Sequence, residues 1–563
     1  MSDVTAEASA AKPRRARAPK AVKAERSTEP VTLRWDLAEL PSSQHKAGLA
    51  GLALCVQFLA RKRERRGTCE LVAIDASGLT LRVDRVGMQA LFDDVYAATL
   101  EEQERDKLFQ KKTAAGGKVD VPPKETRERQ VTDKKGVAKT KTFYVYEQTV
   151  PAGELVGSWD VASADGKQLW LKLWRDVVWS IFRGVPATRE PYDARAERRA
   201  IHDGAEEWDA LTGAPDASVE LPSTYYLGAQ ARSAENVAFR DVARLRFLLH
   251  FWPFVAPIYV PAVTGRDGER EFAGFALVIP DVADLEEFVR TWEQVARERG
   301  PEAAGYRPRD AVVDVAAEAG LDVARRAFLV VGRREGAALT RPWLTAVDVF
   351  HVEKDGNNVR TRSVGRVDLR RDRADAYGRV RTAYWSPLFR RQRITNILDP
   401  TLDPRTGWVT GFGRLCATSP AELTIHDKKF RHDCRVAFTE VEMTEASASD
   451  NDNAKSLDQL IYQVARSYVF GKLSSKYALE WAKAKGTPAE KDYNEKKDKI
   501  AREAFLAVRS RTGADFVTYF TGTLCSVSQR VGQEGYLELA RALGDDREVE
   551  RVRSLTLLAL SAA

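Results

Sequence analysis

Thr32-Leu33-Arg34-Trp35-Asp36-Leu37 alternates apolar and polar side chains, the period of a strand with one buried face. Just beyond it, Pro41-Ser42-Ser43 supplies helix-start chemistry, and Leu49, Leu52, Ala53, Val56 and Leu59 return at helical spacing. Strands over 70–74 and 79–83, with a turn at Asp75-Ala76-Ser77-Gly78, read as a hairpin. A second helix is predicted from 86 to about 104, and a further strand over 142–146. The order β-α-β-β-α-β is the split arrangement of ferredoxin-like folds, a plan shared by RNA-binding modules and many unrelated proteins.

Farther along, Trp170, Leu173, Trp174, Val177, Val178 and Ile181 share one helical face, a pattern more typical of a core stripe than of a base-stacking platform. The apolar run 245–263 contains Pro253, Pro257 and Pro261, so it reads as a helix end followed by an extended segment and a turn at 265–268. A partner strand over 272–279 and a helix over 282–299 follow, and 328–440 looks strand-rich. Residues 445–456 (EASASDNDNAKS) are small, polar and aperiodic, as in a linker. Amphipathic helical stretches fill 457–563. The expected fold class is α+β: a ferredoxin-like N-terminal region, a mixed strand-rich central region and a C-terminal α-helical bundle. The expected units are a disordered basic tail (1–29), an N-terminal α/β domain (30–150) with a basic insert (105–141), a central α+β domain (151–444), the linker, and the bundle.

Composition narrows the class. The 563 residues are 44% hydrophobic and 30% charged, as in ordinary globular domains, and no run of 18 apolar residues exists to span a bilayer. The N-terminus lacks a signal-peptide core, and the five cysteines form no C-x-x-C pair, so a reduced cytoplasm is expected and a zinc ribbon is not. The net charge of +7 is unevenly spread. Residues 1–29 carry +3 and residues 111–141 carry +6, leaving −2 elsewhere. Yet residues 360–393, with eleven Arg and three Asp, carry +8, so the remainder must be acidic. Basic stripes on an acidic body point to a polyanionic partner.

Ser43, Gln44, His45 and Lys46 fall at the first turn of a helix, where free N–H groups and the dipole favour a phosphate; a plain Ser N-cap is the alternative. In 360–393, Arg360, Arg362, Arg379, Arg381, Arg390, Arg391 and Arg393 stand near Trp385, a combination suited to phosphate forks and base stacking, with a solvated hairpin as the alternative. Lys111, Lys112, Lys134 and Lys135 belong to an insert that reads as flexible, either contacting phosphates without sequence preference or simply solvated. His432-Asp433 invites a comparison with HD nucleases, and His426, His432, Cys416 and Cys434 with a zinc site. With six His in the chain, no common zinc spacing, and 436–438 reading as a strand, neither metal nor cofactor is expected. No Walker loop, G-x-S-x-G elbow or H-E-x-x-H occurs, so catalysis is not expected.

Three stretches carry a family resemblance: LPSSQHKAGLAGL (40–52); YYLGAQ (225–230), leading into FLLHFWPFVAPIYVP (247–261); and LIYQVARSYVFGKL (460–473). From about Val31 onwards the chain resembles the large subunit of type I-B CRISPR Cascade complexes, in the branch first described from myxobacteria and cyanobacteria. The resemblance implies a non-catalytic subunit at the foot of a ribonucleoprotein complex. Its partners would be the guide RNA and its 5′ handle, target double-stranded and displaced single-stranded DNA, and the backbone, handle-binding and small subunits. It would also recognise the target-flanking motif and recruit a helicase–nuclease. In related systems the helical end is also made separately from an internal start, and Met443 would give 121 residues. The competing readings are a metal-dependent nuclease, a scaffold without nucleic-acid contact, and the same subunit in a transposon-associated guide-RNA complex.

Overall fold

The computed structural model describes residues 29–62, 66–112, 117–132, 138–160, 162, 166, 168–182, 189–221, 227, 239–264, 270–298, 311–335, 342–356, 358–403, 407–448, 456–527 and 531–563. Lys134, Lys135, most of the 225–230 motif and residues 449–455 of the expected linker lie outside them.

Strand Val31–Asp36 pairs antiparallel with Gly78–Val83, which pairs in turn with Cys69–Ile74. Helix Ser43–Arg61 packs between this small sheet and strand Phe275–Val282 of a larger one, and is buried almost all round from Gln44 to Val56. That makes it a core helix. A methyl group on Gly48 or Gly51 would overlap the carbonyl oxygens of Leu248 and Phe251. These glycines therefore let the helix lie directly on the backbone of Ala243–Leu248 and the short 3₁₀ turn Trp252–Phe254. Two of the family-like stretches are thus packed against each other.

The larger sheet runs Arg270–Phe272, Ile258–Thr264, Phe275–Val282, Leu344–Asp355, Asn358–Asp368, with Val312–Val313 added parallel to Ile258–Thr264. Strand alternation divides its faces. Asp281, Asp348 and Arg366 point to the start of helix Ser43–Arg61, whereas Val347 and Val367 point to Gly320 on helix Glu318–Glu335. The expected Trp stripe is buried on helix Leu169–Ser180. The segment after Pro257 is a strand, as expected, with Pro261 inside it, and its partner and the following helix are Phe275–Val282 and Leu285–Arg297.

The α+β class holds, with three differences in detail. The second helix stops at Val95, and Ala98–Arg105 is a strand. It pairs with Ala138–Pro151, and Arg127 on the neighbouring strand Glu125–Thr132 holds Glu102 (2.9 Å) and Glu104 (3.2 Å). Cross-strand pairing overrides the helix preference of a Glu-rich segment. As a result the strand expected over 142–146 joins this separate three-stranded sheet, and the ferredoxin-like order does not close into one four-stranded sheet.

Second, much of the basic insert is β-structure rather than a loop. Lys124, Arg127, Arg129 and Lys141 are taken up by ion pairs with Glu147, Glu102, Glu104, Glu125 and Asp106. Lys111 and Lys112 fall on strand Gln110–Lys112. Third, beyond Asp368 the region expected to be strand-rich is helical: Arg371–Ala383, Pro387–Leu398, Phe412–Thr418 and Lys428–Ala448. The Ser386 N-cap followed by Pro387 is a helix-start signal that outweighs the nearby β-branched residues. Residues 436–438 lie inside Lys428–Ala448.

The C-terminal helices Leu457–Tyr477, Ala489–Arg509 and Gln533–Gly544 surround Asp546–Ala562, which is buried over most of its length. The helical unit reaches back past the linker. Trp408 donates to Asp458 (2.8 Å), Gly413 N–H donates to Ser554 (2.9 Å), and Phe438 stacks on Tyr462 at 4.5 Å. Met443 lies within helix Lys428–Ala448, which packs against the bundle.

Candidate nucleic-acid interface

The first turn of helix Ser43–Arg61 is capped by Ser42, whose Oγ also meets His45 Nδ1 at 2.8 Å. His45 Nε2 faces Asp241 at 2.9 Å, and burial holds the imidazole below its ordinary pKa against the pull of that carboxylate. Gln44 accepts a hydrogen bond from Leu227 N–H. Both side chains are buried. Ser43 donates to Asp348 (2.5 Å), Lys46 pairs with Asp281 (2.8 Å), and Arg366 bridges Asp281 (2.5 Å) and Asp348 (3.2 Å). Although burial disfavours its charge, Lys46, Arg366 and Thr345 keep Asp281 below the usual carboxylate range. The helix start is thus pinned to the sheet by a charged cluster, and Arg366 is a member of it that charge clustering along the chain does not single out.

The arginines of 360–393 divide by environment. Arg360 pairs with Asp355 (2.7 Å) and Arg362 with Glu353 (2.6 Å) on the exposed hairpin. Such surface pairs are worth about 0–1 kcal/mol and can exchange for a phosphate. Arg379 and Arg391 are exposed, and no ion pair with a described residue involves either. Arg393 lies over the rings of Trp408 (5.1 Å) and Tyr384 (5.8 Å).

Arg381 and Arg390 belong to the interior. Asp322, fully buried, accepts from Arg326 (2.7 Å), Tyr259 (2.8 Å) and Arg381 (2.9 Å). Burial alone would raise its pKa, but Arg326, Arg381 and Tyr259 bring it down to about 2. One turn earlier on the same helix, Glu318 accepts from Asp314 N–H (2.6 Å) and from the Tyr377 hydroxyl (3.1 Å), with Arg390 near both Asp314 (3.3 Å) and Glu318 (3.5 Å). Burial and Asp314 push Glu318 up to about 7.

Trp385 is 57% exposed and lies flat against His432, with ring centroids 4.0 Å apart and planes within 5°. Asp433 accepts from the backbone N–H groups of Trp385 (3.0 Å) and Ser386 (2.7 Å), fixing the turn that carries the indole. The His-Asp pair therefore supports an aromatic platform. No group of three or more His, Cys, Asp or Glu among the described residues is placed to hold a metal ion. The Cys416 and Cys434 thiols are buried, which raises their pKa values, Cys416 to about 12. No helix among the described residues is long and apolar enough to cross a membrane.

The type I-B CRISPR Cas8b N-terminal domain family model matches residues 68–336, and the Cas8b C-terminal domain model matches residues 344–563. The boundary falls between the two halves of the larger sheet, just before strand Leu344–Asp355. No match emerges among curated proteins. Together the two matches cover most of the chain, which belongs to the Cas8b family, the large subunit of type I-B CRISPR systems.

Proposed function

We propose that this large subunit is a non-catalytic recognition subunit of a Cascade complex. It holds the guide-RNA handle, contacts the target duplex and reads its flanking motif, and offers a surface for the recruited helicase–nuclease. Charge and shape supply most of the affinity, and a few arginines supply base discrimination. The contrast among the arginines of 360–393 supports this reading. Arg360 and Arg362 are held only by exposed pairs, and Arg379 and Arg391 stand in solvent, while Arg381 and Arg390 serve the core. Ser43 and Lys46 then act by fixing the helix start on the sheet, Gln44 and His45 by tying it to Leu227 and Asp241, and Lys111 and Lys112 by raising the positive charge of the insert.

The test uses the full chain with duplex DNA and varied salt. Replacing Arg360, Arg362, Arg379 and Arg391 by Ala should weaken binding and reduce the slope of log K against log salt, by roughly 0.9 for each phosphate that the variant no longer neutralises. An unchanged slope, with intact assembly into the complex, would favour a scaffold role in which these arginines meet acidic protein.

A further inference from the structure

We propose that Trp385 and His432, together with Arg435, Arg466 and Lys497, form a binding site for a single-stranded polynucleotide: one unpaired base stacks on the exposed indole, and the adjoining phosphates lie over the cations. The inference rests on the nucleic-acid reading above and adds a place and a strand type to it.

The aromatic half is built rather than incidental. A large, mostly exposed indole is costly to present to water unless something covers it. Here one face is covered by a parallel, stacked imidazole, and the turn that bears the indole is fixed by Asp433. Stacking on such a surface needs a base whose face is free, which a paired strand does not offer.

The cationic half begins one helical turn away, because Arg435 follows His432 by three residues on helix Lys428–Ala448. Arg466, on helix Leu457–Tyr477, lies over the rings of Tyr462 (5.4 Å) and Phe470 (5.7 Å), which hold its guanidinium in place. Lys497, on helix Ala489–Arg509, lies within electrostatic reach of Arg431, Arg435 and Arg466. Burial, opposed by Asp498 and reinforced by these three arginines, holds its ammonium below the ordinary lysine range. Asp498 is already paired with Arg431 (2.8 Å), and among the described residues no ion pair involves Arg435, Arg466 or Lys497. Three helices thus bring cations together with one engaged carboxylate between them. Such a group repels itself until an anion arrives, and a polyphosphate chain is the complementary ligand.

The experiment measures anisotropy of labelled dT20 and rU20 with the full chain across a potassium chloride series. W385A should weaken binding roughly 10- to 100-fold with an unchanged salt slope, and W385F should restore most of the affinity. R435A/K497A should lower the slope by about 1.4, for two phosphates on a single strand. Comparing dT20 with rU20 tells whether the strand is DNA or RNA. W385A binding dT20 and rU20 like the parent protein, or R435A/K497A keeping the parental slope, overturns the site. If W385A impairs only assembly with other subunits, the platform is a protein contact and the proposal falls. If the parent chain binds duplex DNA but its single-strand affinity ignores all these variants, only this site is lost. A parent chain that binds no nucleic acid removes the broader reading with it.

Discussion

Arg379 and Arg381 occupy the same helix, two residues apart, and should behave in opposite ways when replaced by Ala. Arg381 donates to the buried Asp322 at 2.9 Å and is also held by the Tyr377 hydroxyl at 3.1 Å. With its folded-state pKa near 2, against an ordinary value near 4, Asp322 contributes on the order of 2–3 kcal/mol of stability above pH 4. That contribution disappears as pH falls through the folded value. Removing one partner of a buried pair costs about 3–5 kcal/mol. Because Arg326 remains at 2.7 Å, the lower end applies, about 3 kcal/mol. In urea the slope of about 1–3 kcal/mol per molar typical of small proteins rises with chain size, so R381A should lower the unfolding midpoint of the unit that holds Asp322 by up to about 1 M. Its acid-side loss of stability should also shrink, since Asp322 in the variant titrates closer to its unfolded value. R379A removes an exposed side chain, so its midpoint should shift by no more than about 0.5 kcal/mol equivalent, while duplex binding weakens. Circular dichroism and duplex anisotropy on both proteins suffice. R381A unfolding together with the parent, or R379A unfolding early, would refute the assignment of these two arginines to core and surface.

Three further outcomes follow. Gly51→Ala should destabilise by about 1–3 kcal/mol in thermal or urea unfolding, because its methyl meets the Phe251 carbonyl where neither backbone can yield. Glu318 binds its proton more tightly in the folded state, so its contribution to stability is full at pH 4 and is lost as pH rises to about 7; E318Q should flatten that decline in unfolding measured across the range. A product initiated at Met443 should appear by mass spectrometry of the natively expressed complex as a 121-residue species. Lacking Phe430, Cys434 and Phe438 against the bundle, it should unfold more readily by itself than within the full chain.

Local order was legible where the cause was local. The strand at Val31, the hairpin around Asp75–Gly78 and the buried stripe of Trp170, Trp174 and Val177 each follow from repetition within a few residues. The helix expected through Glu104 and the strands expected beyond Asp368 failed for a different reason. Ala98–Arg105 is settled by a partner strand 39 to 53 residues away, and Trp385 is held by Asp433 across 48 residues. The candidate site divides in the same way: charge clustering marked 360–393 as unusual, and burial sorted its members.

By itself, the sequence determined the α+β composition, the concentration of arginine on a largely acidic body, and the family stretches whose glycines turned out to be packing contacts. Only the tertiary structure decided which cations are taken up by the protein's own carboxylates. An arginine binds a carboxylate and a phosphate with the same donors. Asp281 lies 85 residues from Arg366, and Asp322 lies 59 from Arg381. Pairings at that range are set by how sheets and helices stack, which no local spacing records.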